Sequence, residues 1–554
     1  MSAAQYYDND KPQGYAPHQG YGGQQGYGGQ QSYSQPSYAP QYAPPPQQYA
    51  PPSMPQTAPY AEPQTQGFSN TAPNGGQYAV SDGNEKTGAR FRPKKRFNDP
   101  IFAIAFIAVF AGFVALSAIT IRQFVKYNGA GGGFGDIDGT SRTLDYHTVY
   151  LLLVASGLAL FLSFVWLLIV RMFTKIIFEI VLVLSVVLNI GVCVYYFVMK
   201  YWSGAIIFLI IAIISVLSYW FMRKRIPLAK ILFQTTVDVS KHHPSVYVAT
   251  IIGLLVQTAW NVWYSFTCVA IYVTYTTGSP ACATNSCSGS KVAGLIFFAT
   301  FAYIWVSQVI ANVILASLAG GVFGGWYYSG PRSANGAGVP KRATLKAFTR
   351  AITSSLGSIA FGSLIVTVLE VLRTIMQVVA QNEANQGDIV GSILACCATC
   401  CISCLSWMVQ YFNKYAYIEI ALYGKPYIPA AKDTWNLLKK RGIDALVNDS
   451  LVGMVLTTGA YIVGLLTALF AYLYVRYTNP SYNADGQYTA PIILFGALIG
   501  LNVGLAVSSA IDAGVSTIFV GLGEDPYILQ ERSPALFAEI QRVYPQVVQP
   551  VGGV

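Results

Sequence analysis

The chain is constrained most by a series of ten apolar stretches, each close to the length that crosses a bilayer. They run roughly over 101–121, 149–170, 176–198, 205–221, 246–272, 292–318, 354–378, 389–409, 451–474 and 491–520. About twenty apolar residues in helical conformation cover a hydrocarbon core. Lipid offers no hydrogen bonds, so backbone N–H and C=O groups in such segments must pair internally, which selects helices. The expectation is an all-α polytopic membrane protein of about ten transmembrane helices, with the lipid bilayer as its solvent. The fourth stretch is short, and the tenth is long enough to be tilted or interrupted near Gly500–Gly504.

Charge agrees with this reading. Only 10% of residues are charged, against about a quarter in soluble domains. The net charge of +10 would raise nucleic acid as a partner in a soluble chain, but here Lys and Arg sit in short clusters between apolar runs. That is how topology is encoded, so no nucleic-acid partner is expected. With the cluster Arg90, Arg92, Lys94, Lys95 and Arg96 placed inside, about 25 basic residues fall in inner segments and about 7 in outer ones. Lys414 is counted among the inner-loop residues. Both termini are then cytoplasmic. The first ten residues are polar, so no cleavable signal peptide is expected and the first span inserts the chain.

Three regions follow: a tail over 1–96, a helical bundle over 97–525 and a cytoplasmic C-terminal tail over 526–554. From Tyr15 to about Gln66 the sequence cycles through Tyr, Gly, Gln and Pro. Gly and Pro break regular structure and no aliphatic core is available, so the N-terminal tail is expected to be disordered. It is either a solvated spacer or a multivalent segment for protein partners.

No phosphate-binding loop, HExxH zinc motif or GxSxG elbow occurs, so no enzyme, cofactor or metal site is expected. Cys282 and Cys287 share a short outer loop, where a disulfide between them is chemically allowed; free thiols are the alternative. Cys396, Cys397, Cys400, Cys401 and Cys404 crowd the eighth span, where small residues serve close packing more readily than metal binding. Asn448-Asp449-Ser450 is a glycosylation sequon on the inner side, hence unused.

Polar residues inside the spans are the candidates for function. Gln257, Trp260, Asn261, Tyr264 and Cys268 recur at helical spacing in the fifth span, as do Trp305, Gln308 and Asn312 in the sixth. A short loop makes these spans antiparallel neighbours and brings Trp260, Asn261, Tyr264, Trp305 and Gln308 near the midplane. Buried amides in lipid bond a neighbouring helix or line a wet cavity, and transporters bind solute at that depth. An aromatic lining suits a weakly hydrated organic cation, at about 0.5–2 kcal/mol per ring. Among the carboxylates, Glu370 lies one turn from Arg373, which neutralises it. Asp512 has no cation nearby in sequence, so it is the stronger candidate for ion coupling, with Glu370 second. Gly320, Gly321, Gly324 and Gly325, and Gly496, Gly500 and Gly504, form small faces for close helix crossing.

Four stretches resemble the choline transporter-like family: WVSQVIANVILASLAGGVFGGWYY from Trp305, SSLGSIAFGSLIVTVLEVLR from Ser354, CCATCCISCLSWMVQYFNKYAYIEIALYGKPYIPAAK from Cys396, and AIDAGVSTIFVGLGEDP from Ala510. They occur in the family's order and spacing, and the likeness spans most of 97–525. The short, cysteine-free first outer loop over 122–148 looks most like the fungal pH-nine-sensitive branch. The resemblance implies a ten-span plasma-membrane transporter for choline or a related amino alcohol, working by a secondary or facilitative mechanism. Trp260, Tyr264 and Trp305 would then meet the cation, and Asn261, Gln308 and Asn312 its polar groups. The competing expectation is a non-transporting membrane sensor or scaffold acting through its tail. Oligomeric state is open.

Overall fold

The computed structural model describes residues 96–128, 146–276, 287–330, 338–386, 389–478, 480, 483 and 489–545. The N-terminal tail therefore lies outside the described residues, as does Cys282. Ten helices among the described residues are long and apolar enough to cross a membrane. The protein is a multi-pass membrane protein built from helices.

In chain order the helices are α1 (Pro100–Asn128), α2 (Tyr146–Met172), α3 (Thr174–Val198), α4 (Trp202–Arg223), α5 (Ile226–His242), α6 (Ser245–Tyr275) and α7 (Gly289–Leu318). They continue with α8 (Gly324–Ser329), α9 (Ala343–Ile352), α10 (Leu356–Gln386), α11 (Ile389–Tyr423), α12 (Tyr427–Thr478), α13 (Thr489–Glu524), α14 (Pro526–Arg532) and α15 (Pro534–Val543). Ten of these match the ten apolar stretches, with α7 and α8 together forming the sixth span. The fourth span is full length, because Trp202, Ser203 and Met222 extend the helix beyond its most apolar stretch.

Helix ends follow local chemistry. Ser288 caps α7 by accepting from the Lys291 amide at 3.2 Å. Gly330 and Gly424 end α8 and α11 with φ of 71° and 66°, a left-handed conformation that glycine adopts without a Cβ penalty. Between α7 and α8, Ala319–Phe323 widen into one π-helical turn, wholly buried.

Of the two alternatives for the tenth span, tilt or interruption, the interruption does not occur: α13 is continuous from Thr489 to Glu524. Its glycines serve contact instead. A Cβ on Gly500 would lie 2.8 Å from the Gly464 Cα, and one on Gly504 2.8 Å from the Ala460 Cα, both in α12. Removing side chains lets the two backbones approach, which is how helices associate where lipid supplies no hydrophobic drive. The pairing of α12 with α13 is the most extensive in the protein.

Two packed regions result. The larger joins α2, α3 and α5–α15 around Phe178, Phe233, Trp305, Tyr327, Tyr415, Tyr417 and Phe519. The smaller joins α1, α6 and α7 around Phe113, Trp260, Ile271 and Ala299. The segments read from sequence as inner loops are not plain loops. α5 and α9 pack on the bundle with Leu228, Leu232, Phe233 and Ala347 buried, and the segment after 525 forms α14 and α15 with Ile528, Leu529 and Ile540 buried.

Candidate functional site

The α6–α7 pair carries the first group of candidates, and the structure divides them. On its accessible side, Gln257 donates from Nε2 to the Asn261 Oδ1 at 3.0 Å and to the Ser307 Oγ at 3.0 Å. Tyr303 donates to the same Asn261 oxygen at 3.1 Å. Tyr264 stacks on Tyr303 with centroids 4.0 Å apart, and its hydroxyl lies 2.9 Å from the Thr300 hydroxyl. Asn261 is exposed and Tyr264 and Gln308 are half-buried. This wall of amides, hydroxyls and phenol rings sits inside otherwise apolar spans.

Trp260 and Trp305 point elsewhere. One residue from Asn261, Trp260 is rotated by about 100° on a helix and packs against Phe113 and Trp263. Its Nε1 donates to the Tyr303 carbonyl at 3.2 Å. Trp305 is 2% exposed, touches Phe106 and Phe301 and donates to the Ala360 carbonyl of α10 at 3.0 Å. Asn312 donates to the Ser363 Oγ at 3.0 Å. So Trp305 and Asn312 join α7 to α10, while Trp260, Asn261 and Tyr264 join α6 to α7. Tyr303 escaped the sequence reading because it is off register with the stripe drawn through Trp305 and Gln308.

The second group centres on Asp512, and here the structure corrects the sequence reading. Asp512 does have a cation: the Lys414 Nζ lies 2.8 Å from its Oδ2. Lys414 is not a loop residue but part of the eighth span. The same ammonium donates to the Asp449 Oδ2 at 3.1 Å. Asp449 also accepts from the Tyr415 hydroxyl at 3.0 Å and the Ser516 hydroxyl at 3.2 Å. Three spans, α11, α12 and α13, thus meet at one lysine and two carboxylates. Hydropathy hid Lys414 and Asp449 because each lies at the edge of an apolar run, where a span and a loop look alike.

Glu370 is paired as its spacing implied, with the Arg373 Nη2 3.2 Å from Oε2. Its Oε1 also accepts from Ser406 at 2.7 Å and Gln410 at 3.2 Å on α11. The five cysteines of α11 are free and exposed, so they do not serve close packing within the chain. Cys287 is disulfide-bonded.

The end of the bundle rich in basic residues is stitched across the chain. Just before α1, Asn98 donates to the Gly424 carbonyl at 2.9 Å. Asp99 accepts from Ser358 at 2.6 Å and from the Tyr427 amide at 2.8 Å. Tyr328 donates to Asp525 at 3.0 Å and meets the Tyr423 hydroxyl. Lys425 lies 3.2 Å from Glu419 and 2.7 Å from Asp433. Arg350 on α9 donates to the Ala421 carbonyl at 2.8 Å and the Gly320 carbonyl at 3.3 Å. Burial lowers its guanidinium pKa to about 10.

Comparison with known proteins identifies the family. A family profile described as "Plasma-membrane choline transporter" matches residues 206–527. Protein PNS1 of Cryptococcus neoformans is 60% identical over 100% of both chains. Protein PNS1 of Mycosarcoma maydis is 44% identical over 84% of this chain and 86% of its own, and that of Yarrowia lipolytica 40% identical over 82% and 79%. The profile match runs from the fourth span to the tenth, and so covers the residues of the α6–α7 wall and the Lys414 triad. The chain belongs to the choline transporter-like family, in the branch of the fungal PNS1 proteins.

Proposed function

We propose that this protein is a plasma-membrane transporter that moves choline or another small organic cation or amino alcohol by a secondary or facilitative mechanism, with both termini cytoplasmic. The observation that carries the reading is the α6–α7 wall, where Gln257, Asn261, Tyr303 and Ser307 bond one another beside the stacked rings of Tyr264 and Tyr303. Polar groups cost free energy in hydrocarbon unless they are partnered, and the exposed Asn261 side chain is most simply accommodated facing a wet path. Stacked phenols present the negative face that attracts a cation.

In this reading Asn261, Gln308 and Tyr264 contact the solute directly. Trp260, Trp305 and Asn312 belong to the same site as its backing, setting where α6, α7 and α10 stand. Asp512, with Glu370 second, is the ion-coupling carboxylate. A Cys282–Cys287 disulfide would pin the loop between the fifth and sixth spans.

The test is uptake of labelled choline and ethanolamine into vesicles carrying the purified protein. Saturable uptake above empty vesicles, reduced about tenfold in Asn261→Ala and Tyr264→Ala, is expected. No uptake of either compound removes these substrates. Flux that survives deletion of residues 1–90 excludes the scaffold reading as the whole function.

A further inference from the structure

We infer that Asp512 is a direct binding group for the ammonium of the solute, at a subsite shared with Tyr411 and Trp407 of α11 and competing with Lys414 for the carboxylate. The inference rests on the cation-transport reading above and gives Asp512, beside ion coupling, a solute contact at a second subsite in α11 and α13.

The argument begins with charge. Lys414, Asp449 and Asp512 lie within hydrogen-bond distance, and with both carboxylates ionised the cluster has one more negative charge than positive. An unbalanced charge inside apolar spans is costly unless water or a mobile cation balances it. The two carboxylates are not equivalent. Asp449 is buried, with both oxygens occupied by Lys414, Tyr415 and Ser516. Asp512 bonds only Lys414 among the described residues, and its side chain is 33% exposed. The available negative charge is therefore on Asp512. It continues the accessible face of α13 formed by Asn502, Leu505 and Ser509.

The surroundings favour an organic ammonium. Tyr411 lies one turn from Lys414 on α11 and is within electrostatic reach of Asp449 and Asp512. Its hydroxyl is sealed from solvent and interacts with the Tyr415 hydroxyl. Trp407 stacks nearly parallel on Tyr411, centroids 6.0 Å apart at 17°, and is exposed. Ring faces reward a weakly hydrated ammonium. No group of three or more His, Cys, Asp or Glu able to hold a metal ion occurs among the described residues.

The test uses the full-length protein purified in detergent, with thermal unfolding followed by tryptophan fluorescence. Choline, ethanolamine or tetramethylammonium chloride is titrated against sodium chloride at constant ionic strength. A ligand that binds only the folded state raises the Tm with concentration. Choline should raise it saturably, with apparent affinity at least tenfold weaker in Asp512→Asn and several-fold weaker in Trp407→Ala. Asp512→Asn leaves a neutral Lys414–Asp449 pair and should fold; Asp512→Glu should recover part of the affinity. An undiminished shift in Asp512→Asn overturns the inference, even if vesicle uptake upholds transport. Stabilisation by sodium or by acid alone, lost in Asp512→Asn with no response to any ammonium, also overturns it. An Asp512-dependent choline shift without vesicle flux sustains the subsite and removes transport.

Discussion

At the scale of single residues, two neighbours on one candidate surface have opposite duties. Trp305 fills the joint between α7 and α10 and bonds a backbone carbonyl there, so Trp305→Ala opens a cavity and orphans an acceptor, at about 3–5 kcal/mol. It should lower the Tm sharply and abolish flux through misfolding. Asn261 is exposed, and Asn261→Ala should cost only about 1 kcal/mol for its lost hydrogen bonds while reducing uptake about tenfold, as removing one orienting contact would. Equal Tm losses in both would show that the wall is merely structural. His243, between α5 and α6, gives a pH prediction. Burial, then the neighbouring His242 charge, lowers its pKa. Below the ordinary histidine value the unfolded chain binds the proton more readily, so stability should fall as pH drops through about 6.5. His243→Asn should flatten that acid slope in a Tm-against-pH series.

At the scale of helices, the crossing of α12 and α13 rests on missing side chains. Gly496, Gly500 and Gly504 meet Ala471, Gly464 and Ala460 with no room for a Cβ. Gly500→Leu should therefore push the helices apart, and because Asp449 and Asp512 lie on these two helices, it should weaken the triad as well. The expected result is a protein that expresses poorly or unfolds at a clearly lower Tm, with Gly191→Ala, in open space on α3, as the tolerated control. These glycine faces were legible in sequence because a four-residue spacing maps onto one side of a helix. The ten spans were legible for a similar reason: length and apolarity are local properties. The triad was not. Lys414 and Asp512 are separated by 98 residues, and nothing in hydropathy couples one span's edge to another's middle. The turn of α6 that sends Trp260 inward and Asn261 outward was blurred too, since a stripe drawn by spacing does not say which half of it faces a neighbour.

At the scale of the whole molecule, a transported solute needs a water-filled path through the bundle. The basic end is closed by Asn98, Asp99, Tyr328, Tyr423, Lys425 and Asp525, which tie segments far apart in the chain. Yet Asn261 and Ser509, well inside their spans, are exposed. An exposed position in a span faces either lipid or a water-filled path, and thiol chemistry separates the two, because only a hydrated, ionised thiol reacts readily with a maleimide. The experiment starts from a variant with Cys396, Cys397, Cys400, Cys401 and Cys404 replaced by alanine, as these native thiols are exposed. Asn261→Cys and Ser509→Cys should then react with a membrane-impermeant maleimide added outside intact cells, and choline should slow the reaction. Ser516→Cys, buried between α13 and Asp449, should stay unreactive until the protein is denatured. If both exposed positions resist labelling, they face hydrocarbon, and the path to the α6–α7 wall and to Asp512 does not open from outside in this conformation. Labelling only from the cytoplasmic side would instead mean that the stitched basic end is the end that opens.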